Sequence, residues 1–224
     1  VVQSAVKMDE ISYDEMLELA GLGARVLQSR AVEFGKKYEV ELEVLSSFEH
    51  KPGTIVKEEV KDMEDILVRG IAADKDQAKV TIQAVEDRPG MAAHLFKELA
   101  EAHVNVDMIV QNVSEESATD ISFTVPRDDL VRTENALEGL SETLGAKGVN
   151  VDEDIAKLSI VGVGMRNHSG VAHRLFDALA RNEINIQMIS TSEIKVSVLI
   201  KTDQADKAME VLHEEFKLEE LGTS

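Results

Sequence analysis

Gly90 to Val110 reads GMAAHLFKELAEAHVNVDMIV, and Gly170 to Ser190 reads GVAHRLFDALARNEINIQMIS. Laid on each other, the two stretches share nine of 21 residues, where unrelated sequences would share roughly one or two. The chain therefore contains an internal repeat, and the repeated unit decides the fold. The identities are Gly90/Gly170, Ala92/Ala172, Leu95/Leu175, Phe96/Phe176, Leu99/Leu179, Ala100/Ala180, Asn105/Asn185, Met108/Met188 and Ile109/Ile189. Small and apolar residues at these spacings mark a core and a turn rather than a set of catalytic groups.

Working outward, each copy shows the same order of periodicities. Before the shared glycine, apolar residues alternate in Lys79 to Val85 (KVTIQAV) and in Lys157 to Val163 (KLSIVGV), the pattern of a strand. After it, positions 92, 95, 96 and 99, or 172, 175, 176 and 179, form one helical face. Val104 to Val110 and Ile184 to Ile189 return to strand character, followed by strands at Asp120 to Val125 and Lys195 to Ile200. Helices then fit Asp128 to Leu140 and Gln204 to Phe216. In the first copy Lys147 to Val151 offers a closing strand, which gives β-α-β-β-α-β, a ferredoxin-like α+β sandwich. After Phe216 the second copy has only KLEELGTS, too short and polar for a strand. Ile66 to Ala72 (ILVRGIA) belongs to no other unit, so it is expected to cross over and complete the second domain, leaving the first as an insertion within it.

The preceding residues do not form a domain by themselves. Ser12 and Glu15 have capping-box spacing at the start of a helical stretch over Ile11 to Ala31, which ends in a broken turn. Val40 to Leu45 is strand-like, and Pro52-Gly53-Thr54 turns the chain into Ile55-Val56. So short a stretch rarely builds a core alone, and residues 1–57 read as the end of a domain whose body is missing. Glu58 to Asp65 (EEVKDMED) carries six charged residues and is assigned as a connector.

Composition narrows the function classes. Over 224 residues, 43 acidic side chains face 24 basic ones, and the formal charge of −19 argues against nucleic acid or an anionic membrane as partner. There is no cysteine, which removes disulfides, thiolate nucleophiles and Cys-type zinc sites and fits a reducing compartment. Without a signal-peptide pattern or a long apolar run, cytoplasm is the expected location. The sequence starts at Val1 rather than Met, which is expected of a fragment of a longer protein.

Few motifs point to chemistry. His168 and His173 are five positions apart, not the four that place two ligands on one helical face, and no HExxH occurs, so no metal site is assigned. Gly162-Val163-Gly164 is followed next by Gly170, which breaks the GxGxxG spacing, and no Walker motif is present. The stronger signal lies in the strand-to-helix turns Asp87-Arg88-Pro89-Gly90 and Arg166-Asn167-His168-Ser169-Gly170. The open amides of a first helical turn suit a carboxylate, and Asp87 beside them suits an ammonium, so the turn fits a zwitterionic amino acid. The plainer alternative is that Asp87 caps its helix and Gly90 only turns the chain.

These residues resemble the C-terminal part of the aspartate kinase family. ISYDEMLELAGLGARVLQSRAVEFG and VLSSF with the following PGT-I are similar to the end of its amino-acid-kinase domain. VEDRPGMAAHLFKELAEAHVNVDMIVQNVS and SIVGVGMRNHSGVAHRLFDALARNEINIQMISTSEIKVSVLI resemble its two regulatory ACT domains. The resemblance covers essentially the whole chain. It implies residues 1–57 as the last piece of the kinase domain, 79–152 as the first ACT domain, and 66–73 with 157–216 as the second.

By the same resemblance, the family's reaction is phosphorylation of the β-carboxylate of aspartate by ATP, under feedback control by lysine or threonine. It implies an effector pocket of Asp87, Gly90, Met91, Ala92 and Gln111 from the first copy, with Asn185, Ile186, Thr191 and Ser192 from the second. The matching Asn105 and Asn185 fit a pseudo-symmetric pair of sites or, equally, two turn residues. The family's ATP-binding motif has no counterpart here, so no catalytic residue is assigned, ATP and magnesium belong to the kinase part, and the chain alone is not expected to phosphorylate anything. It is expected to be a fragment or a separate regulatory subunit made from an internal start, for which Met63 is a better candidate than Met8. A homodimer through the ACT domains, or a complex with a catalytic subunit, is implied as well. Two alternatives stay open, an active kinase lacking its first half and an unrelated amino-acid-sensing or scaffolding tandem. Replacing Asp87 is expected to weaken amino-acid binding more than replacing Glu115.

Overall fold

The computed structural model describes residues 2–24, 26–58, 60, 66–113 and 118–222. In chain order the elements are β1 (Glu10–Ser12), α1 (Tyr13–Gly21), α2 (Ser29–Lys37), β2 (Leu42–Val44), β3 (Thr54–Lys57), β4 (Gly70–Glu86), α3 (Met91–Glu101), β5 (Ile109–Val113) and β6 (Ala118–Pro126). They continue with α4 (Leu130–Leu137), α5 (Leu140–Thr143), β7 (Gly148–Val161), α6 (Val171–Arg181), β8 (Met188–Thr191), β9 (Lys195–Lys201) and α7 (Ala205–Glu215). Contacts divide the chain into two compact units, Val1–Asp74 with Lys157–Ser224, and Lys75–Ala156.

The unit of residues 75–156 contains the first copy. Its strands lie in the order β5-β6-β4-β7, with β6 antiparallel to both β5 and β4. Ala78, Val80 and Ile82 alternate along β4 with no exposed surface, and Leu95 and Leu99 from one face of α3 meet them in the core with Ile121 and Phe123 of β6. Each of these valine, isoleucine, leucine and phenylalanine side chains contributes about 1.5–3 kcal/mol by leaving water. The strand-helix-strand-strand-helix-strand order is that of a ferredoxin-like sandwich.

The other unit contains the second copy and the N-terminal segment. Here the neighbours run β4-β7-β9-β8, with β8 antiparallel to β9. Leu158 and Ile160 of β7 and Leu175 and Leu179 of α6 are fully buried. The N-terminal segment adds a three-stranded sheet of order β1-β3-β2, parallel between β1 and β3. Its core of Ile11, Tyr13, Met16 and Val32 also takes in Ala72 of β4 and Val161 of β7. Ser12 caps α1 in a reciprocal capping box with Glu15.

Several elements differ in extent from the sequence reading. The strand expected over 66–72 begins at Gly70 and continues without a break through Asp74-Lys75-Asp76 into the strand expected over 79–85. The strands expected over 147–151 and 157–163 are likewise one element, β7. The charged residues in the middle look like loop, but a backbone paired on its neighbour stays extended whatever side chains it carries outward. The helix expected over 128–140 breaks at Gly139, whose φ is +74°, and the helical stretch from Ile11 separates into β1, α1 and α2. Strands β5 and β8 begin at Ile109 and Met188, later than expected, and between each and its preceding helix the chain passes through a left-handed residue, His103 or Glu183. Of the connector over 58–65, only residues 58 and 60 are among the described residues, and Met63 lies outside them. No helix among the described residues is long and apolar enough to cross a membrane.

Candidate functional site

Both strand-to-helix turns end in the same backbone geometry. Gly90 has φ 97° and ψ −12°, and Gly170 has φ 95° and ψ −7°. A Cβ built on either glycine meets nothing within 4 Å, so φ rather than lack of room selects glycine. Each glycine is the N-cap of its helix, and neither α3 nor α6 has a side chain bonded to its first-turn amides. Those N–H groups, with the positive end of the helix dipole behind them, form a site that favours a carboxylate.

In the first copy, β4 carries Asp87 into this turn as an exposed side chain, and it does not cap α3. Beside it Arg88 is paired with Glu86 at 3.0 Å. Met91, 9% exposed, starts the helix and enters the core, and Ala92 packs against that core half-buried. Asp87, Gly90, Met91 and Ala92 are thus gathered on one turn. Gln111 lies in the middle of β5, exposed, in register with Ile121 of β6. Just before the turn the pairing of β4 with β6 shifts between Ile82 and Val85. At this bulge Ala84 has φ 51°, and its N–H donates to Asp120 Oδ1 at 2.7 Å.

In the second copy, β7 ends in a 3-10 turn over Val163–Asn167 that leads to Gly170. Thr191 ends β8 and Ser192 follows it, both exposed, with the Ser192 N–H donating to the Lys195 carbonyl at 2.8 Å. The ion pair Arg166–Glu193, at 3.2 Å, joins this β8–β9 turn to the 3-10 turn. Asn185, exposed, and Ile186, half-buried, precede β8. They sit at its opposite end from Thr191 and Ser192, so the structure does not bring these four together within the copy.

The turns that contain the matching asparagines are held differently. The Asn105 N–H donates to Asp129 Oδ2 at 3.1 Å, and this bond, with Arg132 beside it, holds the Asp129 carboxyl below the usual carboxylate range. In the second copy Gln204 instead donates its side-chain amide to the Glu183 carbonyl, at 3.3 Å. The Arg166–Glu193 pair and the Ala84–Asp120 bulge escaped the sequence reading, since each joins residues that no local motif connects. Glu115, the comparison residue for Asp87, lies outside the described residues.

An ACT-domain family profile matches residues 80–139 and 158–216. An aspartokinase of Pseudomonas aeruginosa is 51% identical over 224 residues, a match covering 98% of this chain and 54% of that protein. The chain thus spans about half the length of the curated relatives it matches. A crystal structure of aspartokinase alpha and beta subunits aligns with 48% identity and a TM-score of 0.64, over 67% of this chain and 99% of the matched one. The regulatory subunit of aspartate kinase from Thermus thermophilus, in its ligand-free form, aligns over the same shares with 39% identity and a TM-score of 0.64.

Proposed function

The chain belongs to the aspartate kinase family and carries its regulatory ACT domains, and on that premise we propose that it binds lysine, threonine or both and passes their occupancy to a kinase domain. The observation that carries this reading is the pair of glycine-opened helix starts with uncapped amides, one of them beside the exposed carboxylate of Asp87. The amides take the α-carboxylate of the amino acid and Asp87 takes its ammonium. In this reading Met91, Ala92 and Gln111 contact the effector from the first copy, and Asn185, Ile186, Thr191 and Ser192 are effector contacts of the second. Residues 1–57 are then the last piece of the amino-acid-kinase domain. ATP, magnesium and the phosphorylation of aspartate belong to the kinase part, which the chain joins either covalently or as a separate subunit in the cytoplasm. ACT domains pairing between chains supply the dimer.

Regulation of this kind requires the amino acid to bind two arrangements of the protein with different affinity, since a ligand that binds both equally shifts nothing. The test is a titration of Asp87→Ala against Glu134→Ala, an exposed glutamate on α4. Loss of the ammonium partner is expected to weaken lysine or threonine binding about tenfold, with Glu134→Ala unchanged and both variants folded. Equal affinities in the two variants would remove Asp87 from the pocket.

A further inference from the structure

We propose that Glu15 is a positioning residue through which the turn leading into α6 sets the placement of α1. Glu15 is fully buried, with no exposed surface. Its Oε2 accepts from Ser12 Oγ at 2.8 Å and from the Ser12 N–H at 3.3 Å, which fixes the start of α1. Its Oε1 accepts from the Val163 N–H at 3.0 Å, across 148 positions of sequence. Val163 is the first residue of the 3-10 turn that runs to Gly170, so one carboxylate holds both the cap of α1 and the start of that turn.

A second tie lies one helical turn further along. Glu18 pairs with Lys195 at 2.9 Å, and Lys195 begins β9 directly after the turn that contains Thr191 and Ser192. The 3-10 turn and the β8–β9 turn are themselves linked by Arg166–Glu193 and by the bond from the Gly162 N–H to the Ile194 carbonyl, at 3.0 Å. The two glutamates of α1 therefore hold both turns of the second copy. The first copy is built otherwise: the stretch before its glycine is a bulge whose Ala84 N–H is bound by Asp120 of the same copy. Displacement of the second copy's turns is transmitted to α1, and the N-terminal segment reads the second copy.

This role rests on the regulatory reading only for which ligand moves the turn. The measurement uses no ligand, so its failure and a failed amino-acid titration are told apart. Hydrogen exchange is followed at the amides of α1 in the 224-residue chain, with the turn perturbed by Gly170→Ala or, independently, by Asn167→Gly. Exchange in α1 is expected to accelerate roughly threefold or more with either perturbation. Glu15→Gln keeps an oxygen for the Val163 N–H but turns an NH2 donor toward the Ser12 N–H and removes the charge facing Arg69 Nε, 3.9 Å away, so it is expected to keep part of the response. Glu15→Ala is expected to lose it, and Lys195→Ala, which leaves the core untouched, to reduce it. An α1 that ignores both perturbations, or that responds as strongly in Glu15→Ala and Lys195→Ala as in the parent, would overturn the proposal.

Discussion

His103 and Glu183 occupy matching places in the two copies, with φ of 56° and 60°. Each closes its helix in the same way: Val104 N–H donates to the Leu99 carbonyl at 2.9 Å, and Ile184 N–H to that of Leu179 at 3.0 Å. A left-handed residue with a Cβ costs about 1–2 kcal/mol. His103→Gly and Glu183→Gly are therefore each expected to raise stability by about 0.5–1 kcal/mol, read as a shift of the urea midpoint. The opposite sign is expected at Gly90 and Gly170, where alanine should cost about 1 kcal/mol. Asp129 makes the stability of the first copy pH-dependent. Its folded pKa is lowered by the Asn105 N–H and by Arg132, so its stabilisation is complete above the unfolded value of about 3.9. That stabilisation is lost as pH falls through the lower folded value. Asp129→Asn is expected to flatten this acid limb and to cost about 1–3 kcal/mol at pH 7, checked by denaturant midpoints across the pH range.

The long strands β4 and β7 are the elements least legible in the sequence. In each, a run of charges, Asp74-Lys75-Asp76 in one and Asp152-Glu153-Asp154 in the other, interrupts the apolar alternation, although the backbone runs straight through. Alternation of apolar residues was enough to find the buried ends of these strands, and helical spacing was enough for α3 and α6, because burial writes itself into sequence at those periods. Pairing between strands leaves no such trace. It is visible only in structure, as in the hydroxyl pairs Thr81–Ser122 at 2.9 Å and Ser159–Ser197 at 2.8 Å, one in each copy. Gly162 is a similar case. Its φ of 178° is ordinary, but a Cβ there would stand 2.3 Å from the Leu67 carbonyl oxygen. Gly162→Ala is expected to cost about 1–3 kcal/mol, measured by thermal unfolding, because the chain at 67–69 must move off the end of β7.

At the scale of the whole chain, a duplicated unit has acquired two different surroundings. The repeat and its glycine turns are readable in the sequence, since both depend on local spacing. The ties that distinguish the copies are not: Glu15 to Val163 and Glu18 to Lys195 join residues that no motif connects, and only folding brings them within bonding distance. The two helix starts are alike in backbone and differ in what anchors the turns before them. The proposed regulation requires the turns to bind an amino acid. The measurement that decides it is calorimetric titration of the 224-residue chain with lysine and threonine, separately and together. Saturable heat with at least one of them, altered by the presence of the other where two sites are coupled, is the predicted result. A folded chain that gives no saturable heat with either would contradict the account.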